Sequence, residues 1–166
     1  YQRAVRMQPC RIDAYMCIVY SLQAEARLEE ALNMASTALR IAPRDAVALE
    51  ARGIVQLQLQ RFSGAAADLS AAVHARPGDA SLRNSLGVAL RYCGDTGRSL
   101  EQLKYAIRLD SGCALAAFNA GTLFMVQGQL KQAWELHDAA VAAAPEDESF
   151  LANRAICRLL RWHRAE

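Results

Sequence analysis

The prolines constrain this chain more than any other feature. There are four, Pro9, Pro43, Pro77 and Pro145, spaced by 34, 34 and 68 residues, and Ser111 stands at the midpoint of the long gap. The segments RIAPRDA, HARPGDA, RLDSGCA and AAAPEDE align on these positions. A fixed period of this length marks a stacked repeat, in which each unit buries its apolar face on a neighbour. Counting from three residues after each proline position gives units 12–45, 46–79, 80–113 and 114–147, with residues 1–11 before them and 148–166 after.

Within each unit two stretches carry apolar residues at a spacing near 3.6, as in AYMCIVYSLQAEA and LEEALNMASTALRIA, and a short break separates them. The pattern predicts a helix, a tight turn and a second helix. Gly94 and Gly128 fall in the break, where a left-handed C-terminal cap favours glycine. Asp45, Asp79 and Asp147 precede the next helix and can accept its free amide protons, while the proline two residues earlier ends the preceding helix. Small residues recur at three places. Repeat position 8 reads Val19, Gly53, Gly87, Gly121 and Ala155; position 20 reads Ala31, Ala65, Ser99 and Ala133; position 27 reads Ala4, Ala38, Ala72, Ala106 and Ala140. Such residues let two helices approach closely, with Leu86, Leu90 and Leu103 filling the seam.

Leu86-Gly87, Ala65, Ala72 and Pro77, set in this period, resemble the tetratricopeptide repeat family along the entire chain. The resemblance implies an all-α, right-handed α-solenoid of antiparallel helix hairpins, a superhelix whose inner wall is built by the first helix of each pair. In this register residues 1–11 are the second helix of a truncated preceding repeat, and 148–166 are the first helix of a further repeat or a capping helix. A piece of a longer array is therefore expected. Departures from the pattern are Val19 at position 8, Ser111 for proline, and Arg52 and Arg154 where an apolar residue is usual.

The resemblance places function on the inward face of the first helices. The candidate partner-binding residues are Asp13, Met16 and Tyr20; Glu50, Ile54 and Gln58; Asn84, Val88, Arg91 and Tyr92; Phe118, Asn119, Thr122 and Met125; and Asn153 and Ile156. Charges are few there, and apolar and amide groups dominate. A chaperone-tail carboxylate, which some family members clamp, needs cationic donors that no window of this face supplies. An extended segment or amphipathic helix with apolar anchors fits better, with Tyr20, Tyr92, Phe118, Met125 and Ile156 as its contacts. Leu57, Val126 and Leu159, on the same face, are expected to pack against the next first helix. Asn119 and Asn153 share position 6, similar to the asparagine ladder of O-GlcNAc transferases, although Cys17, Ala51 and Ser85 interrupt it.

Other chemistry finds little support. The charge of +2 and 7% aromatic content give neither the footprint nor the stacking surface of a nucleic-acid binder. No apolar run approaches the ~20 residues of a membrane span. His74 and His137 lie on second helices and His163 in an arginine-rich end, none in a catalytic or metal-binding constellation, so no enzyme activity, metal or cofactor is expected. Five cysteines, Cys10, Cys17, Cys93, Cys113 and Cys157, without paired spacing read as reduced and mostly buried thiols of a cytoplasmic protein, with ciliary or other cytoskeletal assemblies as possible settings. Arg154, Arg158 and Arg161 form one stripe on the last helix. It can cap the stack, meet acids on an unseen helix, or dock a partner.

The function implied is a non-enzymatic scaffold that binds protein or peptide segments within a larger assembly. Alternatives are the substrate-recruiting arm of a larger enzyme resembling O-GlcNAc transferase, and self-association through open terminal repeats.

Overall fold

A computed structural model describes residues 12–162 of the chain. Among them lie helices α1 (Ile12–Ala24), α2 (Leu28–Ile41), α3 (Ala46–Gln58), α4 (Phe62–Ala75), α5 (Ala80–Tyr92), α6 (Thr96–Leu109), α7 (Ala114–Val126), α8 (Leu130–Ala143) and α9 (Glu148–Trp162), with no strand. The expected all-α fold of antiparallel hairpins is thus observed. Residues 1–11, read as the second helix of an earlier repeat, and His163 fall outside the described residues.

The chain divides into two compact halves, Tyr1–Gly78 and Asp79–Glu166. In the first, α1 packs on α2 and α3 on α4, with α2 lying against α3 and α1 against α3. The second repeats the scheme with α5 on α6 and α7 on α8, and adds α9 against α8.

The starts of α3, α5 and α9 have a local cause. Asp45 accepts a hydrogen bond from the Ala48 amide at 2.8 Å and Asp79 from that of Leu82 at 3.0 Å. Asp147 accepts from Phe150 at 3.3 Å. Before α7 the aspartate is replaced by Cys113, whose side chain does not cap, and the Asp110 carboxylate instead orders the turn by accepting from the Gly112 amide at 2.9 Å. The repeat without proline is therefore held by a different turn, and its helix starts in the same place.

The four hairpin turns share one geometry. A residue at repeat position 15 adopts a left-handed conformation: Ala26, Gln60, Gly94 and Gly128, with φ of 57°, 58°, 84° and 74°. The next amide then bonds back to the carbonyl five residues earlier, from Arg27 to Leu22 at 2.9 Å, Arg61 to Gln56 at 2.8 Å, Asp95 to Leu90 at 3.0 Å and Gln129 to Phe124 at 2.9 Å. This is the helix-ending motif that the two glycines signal, and tertiary packing enforces it at Ala26 and Gln60 without them.

Inside the hairpins, repeat positions 8 and 24 face each other. A Cβ on Gly53 would stand 2.7 Å from Leu69 Cγ, and one on Gly87 equally 2.7 Å from Leu103 Cγ. In the first repeat the same two positions hold Val19 and Ala35, both fully buried, so the volume sits on the other helix and the departure at position 8 is compensated. At position 20, Ser99 takes the place of alanine, and its buried hydroxyl donates to the Gly87 carbonyl at 2.6 Å. Arg52 is also compensated: its guanidinium donates twice to Asp68 of α4, at 2.6 and 2.7 Å, and Gln56 adds a third bond at 3.2 Å. That pairing raises the Arg52 pKa and keeps the buried carboxylate satisfied.

Candidate partner-binding faces

The inner faces of the two halves differ in chemistry. On α1 and α3 the face is polar and partly charged. The Glu50 carboxylate accepts from Arg76, which caps α4. Gln23 donates to Gln58 at 2.9 Å, linking α1 to α3. Burial first, and then the Glu50 charge, raises the Tyr20 pKa, so its half-exposed phenol stays protonated as a donor. Asp13 and Gln58 are exposed, and Ile54 is half-buried.

On α5, α7 and α9 the candidate face carries a single charged residue, Arg91, and is otherwise uncharged. Asn119 donates to the Asn84 carbonyl oxygen at 2.9 Å, so α5 and α7 are joined by an amide pair. Asn84 is buried, whereas Asn119 is half-exposed. Tyr92 is 53% exposed with the Arg91 guanidinium 4.7 Å from its ring centre. Val88, Thr122, Met125 and Asn153 are half-buried, and Ile156 is exposed. The Thr122 hydroxyl and the Asn153 amide turn back to their own helices, donating to the carbonyls of Phe118 and Ser149. Phe118 is committed to packing: its ring meets His137 edge-on at 5.5 Å and Phe150 at 4.9 Å.

Three expectations are corrected. Met16 is buried where α1 lies against α3, so it takes no part in the open face, whereas Glu50 at the same repeat position of α3 is half-buried. Val126 and Leu159, expected to pack on a following helix, stand 80% and 62% exposed: position 13, which also holds exposed Gln58 and Tyr92, lies beyond the contact line between helices, whereas position 12 is half-buried at Leu57 and Met125 and has no helix laid against it at Leu159 among the described residues. The thiols are not mostly buried. Of the four described, Cys17 and Cys93 are exposed and Cys113 intermediate, and only Cys157 is enclosed, its pKa pushed up by burial. Cys17 sits on the inner face and Cys93 at a helix end, away from the seams.

His137 carries a signal that sequence reasoning missed. It occupies position 24, where the two preceding repeats place Leu69 and Leu103, and it has no exposed surface. Neither ring nitrogen has a hydrogen-bond partner, and burial lowers its pKa. Its leucine counterparts in the aligned repeats were the available clue. No group of three or more potential metal ligands occurs among the described residues.

A tetratricopeptide repeat sequence profile matches residues 18–80 and 84–148. The chain belongs to the tetratricopeptide repeat family. Proteins of this family are typically protein-interaction scaffolds and generally lack catalysis, so the tetratricopeptide fold implies protein partners. Human tetratricopeptide repeat protein 6 is 31% identical over 156 residues, 94% of this chain and 30% of that protein. The Xenopus tropicalis BBSome complex member BBS4 is 33% identical over 103 residues, covering 62% of this chain and 20% of that protein. The chain thus spans less than a third of the length of these relatives. Among solved structures, YrrB, described as a tetratricopeptide repeat protein with an unusual peptide-binding site, superposes with a TM-score of 0.78 at 21% identity, over 98% of this chain and 84% of its own. No described helix is long and apolar enough to cross a membrane.

Proposed function

We propose that this chain is a non-enzymatic scaffold whose repeats, 12–45, 46–79, 80–113 and 114–147, present first-helix faces to protein segments of a larger assembly. The observation that carries the reading is the largely uncharged face of α5 and α7, where exposed Tyr92 and Val126 stand at the C-terminal ends of the two helices and the Asn84–Asn119 pair joins the helices about two turns earlier. Apolar side chains of that exposure contribute binding energy when covered, and an amide with a spare acceptor can hold a peptide main chain. Phe118 and Met125 support this face from beneath. The peptide-binding description of YrrB and the place of BBS4 in a complex lend support by similarity. Exposed thiols at Cys17 and Cys93 suit a reducing, cytoplasmic setting.

Display selection of extended peptides on the chain tests the proposal. Selected binders are expected to lose about tenfold or more in affinity on combining Tyr92→Asp with Asn119→Ala, while the circular dichroism of the chain is unchanged. Binders indifferent to both substitutions refute it.

A further inference from the structure

The second helices share one plan and differ on the side that their neighbours leave open. α2 is packed by α1 and α3, α6 by α5 and α7, and α8 by α7 and α9. On the open side, repeat positions 26 and 30 hold Thr37 and Ile41 in α2, Ala71 and Ala75 in α4, Tyr105 and Leu109 in α6, and Ala139 and Ala143 in α8. Among these helices α6 alone places two large apolar side chains there, each 41% exposed.

Charge sets α6 apart as well. Its cations Arg98, Lys104 and Arg108 outnumber its one carboxylate, Glu101. With His74 neutral, the carboxylates are in excess on α2 (Glu29, Glu30 and Arg40), on α4 (Asp68) and on α8 (Lys131, Glu135 and Asp138). Arg98 pairs with Asp95 at 3.5 Å. Lys104 and Arg108 pair with no carboxylate among the described residues; the first lies 5.2 Å from the Phe124 ring centre and the second 4.9 Å from that of Tyr105. A cation in the last turn suits the helix dipole, which accounts for Arg108 and for Arg40 at the same repeat position of α2. Yet Arg40 donates to the Thr37 hydroxyl at 3.1 Å, and α2 contains no aromatic residue. On α6 a ring stands in that place and is held there. The buried Arg83 of α5 sets its guanidinium 3.8 Å from the Tyr105 ring centre and donates to Gln102 of α6 at 2.9 Å. Tyr105 is thus ordered before any partner arrives, which removes part of the entropic cost of binding.

Spacing defines what such a surface takes. Lys104 and Arg108 are separated by about one helical turn, as are Tyr105 and Leu109, so the members of each pair stand about 6 Å apart along the axis. In an extended segment side chains alternate in direction and recur on one side about every 6.6 Å. A segment laid along α6 with carboxylates at alternate positions therefore meets the two cations with one side, and apolar residues in between meet Tyr105 and Leu109 with the other.

We propose that the open side of α6, through Lys104, Tyr105, Arg108 and Leu109, docks an extended segment of a partner protein in which acidic and apolar residues alternate. This surface lies on a second helix, apart from the first-helix faces considered above. A nucleic-acid strand is disfavoured, because the Tyr105 ring is already engaged by two guanidinium groups.

The acetylated and amidated peptide Gly-Ser-Glu-Leu-Glu-Leu-Ser-Gly serves as probe, titrated into the isotopically labelled 166-residue chain and followed by nuclear magnetic resonance. Saturable shifts are expected at the amides of residues 104–109. The same composition reordered as Gly-Ser-Glu-Glu-Leu-Leu-Ser-Gly breaks the alternation and should bind about fivefold or more weakly. Combining Lys104→Glu with Arg108→Glu should weaken the probe about tenfold or more, with circular dichroism unchanged, since both side chains are exposed. A peptide with lysine in place of both glutamates should prefer that double variant to the parent chain. Val126→Asp on the α7 face should bind the probe unchanged, so this test is separate from the first-helix reading. Absence of saturable shifts in α6, equal affinity for the two peptide orders, or equal affinity of parent and double variant overturns the proposal. So does tighter binding of single-stranded oligouridylate at the same residues, which assigns the surface to nucleic acid. A concentration-dependent dimer in sedimentation that the double variant abolishes likewise overturns it, by assigning the surface to a second copy.

Discussion

In the α3–α4 hairpin Gly53 lies beneath Leu69, and in the α7–α8 hairpin Gly121 lies beneath His137. The backbone plan is shared, but the neighbouring pair at positions 7 and 23 is Arg52 with Asp68 in one and Ala120 with Leu136 in the other. One hairpin thus places its polar pair beside an apolar contact, fully hydrogen-bonded at the seam's edge. The other keeps the edge apolar and buries an imidazole with both nitrogens unsatisfied. What the repeat fixes is the close approach at glycine; the residue that fills the space above it is free to vary, even at a cost in desolvation.

The most severe way to break this comparison is to fill the glycines. A Cβ on Gly53 meets the branched carbon of Leu69 at 2.7 Å, whereas one on Gly121 meets the flat His137 ring at 3.0–3.1 Å. Gly53→Leu should therefore cost about 3 kcal/mol, at the upper end of overpacking, and Gly121→Leu about 2 kcal/mol, since a ring can tilt aside. Chemical denaturation of the two variants measures the difference. An unchanged midpoint in either would mean that helices in that hairpin are not in the close register described.

The second test removes the polar anomaly. His137→Leu restores the residue found at position 24 of the two preceding repeats and should stabilise the fold by about 1–3 kcal/mol, the range for relieving a buried unsatisfied polar group. Its pH dependence has a definite sign. Burial lowers the folded-state pKa of His137 from its ordinary 6.5, so below that pH the unfolded chain holds a proton that the folded chain refuses. Stability due to neutral His137 is present above pH 6.5 and is lost as the pH falls below it. Melting temperatures followed from about pH 7.5 down to about pH 5, across the imidazole range, should fall less steeply for His137→Leu than for the parent. A parallel decline in both would place the acid sensitivity elsewhere.

The helices and caps of this chain are legible because they rest on local chemistry that the repeat multiplies. Asp45, Asp79 and Asp147 announce helix starts, and the alanines at positions 20 and 27 announce a tight seam, wherever the period sets them. Pairings between helices are harder to foresee. Arg52 stands out as a departure, but its partner Asp68 looks like an ordinary surface residue until α3 and α4 are folded together. Val19 likewise appears anomalous until Ala35 is set opposite. The candidate faces are legible as positions and less so as exposures: Tyr92 and Asn119 stand at the open face, while Met16, assigned to the same face, is buried where α1 meets α3. The hairpin turns give a last instance, since a left-handed residue is visible in sequence only when it is glycine.

That instance leads to the smallest effect. Gln60 closes the α3–α4 hairpin at φ 58° and Gly128 closes α7–α8 at φ 74°, with the same return hydrogen bond in each. A side chain in this conformation costs about 1–2 kcal/mol, and glycine gives back part of any gain because its unfolded chain has more freedom to lose. Gln60→Gly should accordingly stabilise the chain by about 0.5 kcal/mol, while Gly128→Ala should destabilise it by about 1 kcal/mol. Opposite signs, measured side by side in urea, would show that both turns carry the same left-handed cost and that glycine lowers it in each. If Gln60→Gly proved destabilising, the Gln60 side chain itself would have to contribute contacts that glycine lacks, and the two turns would no longer be equivalent.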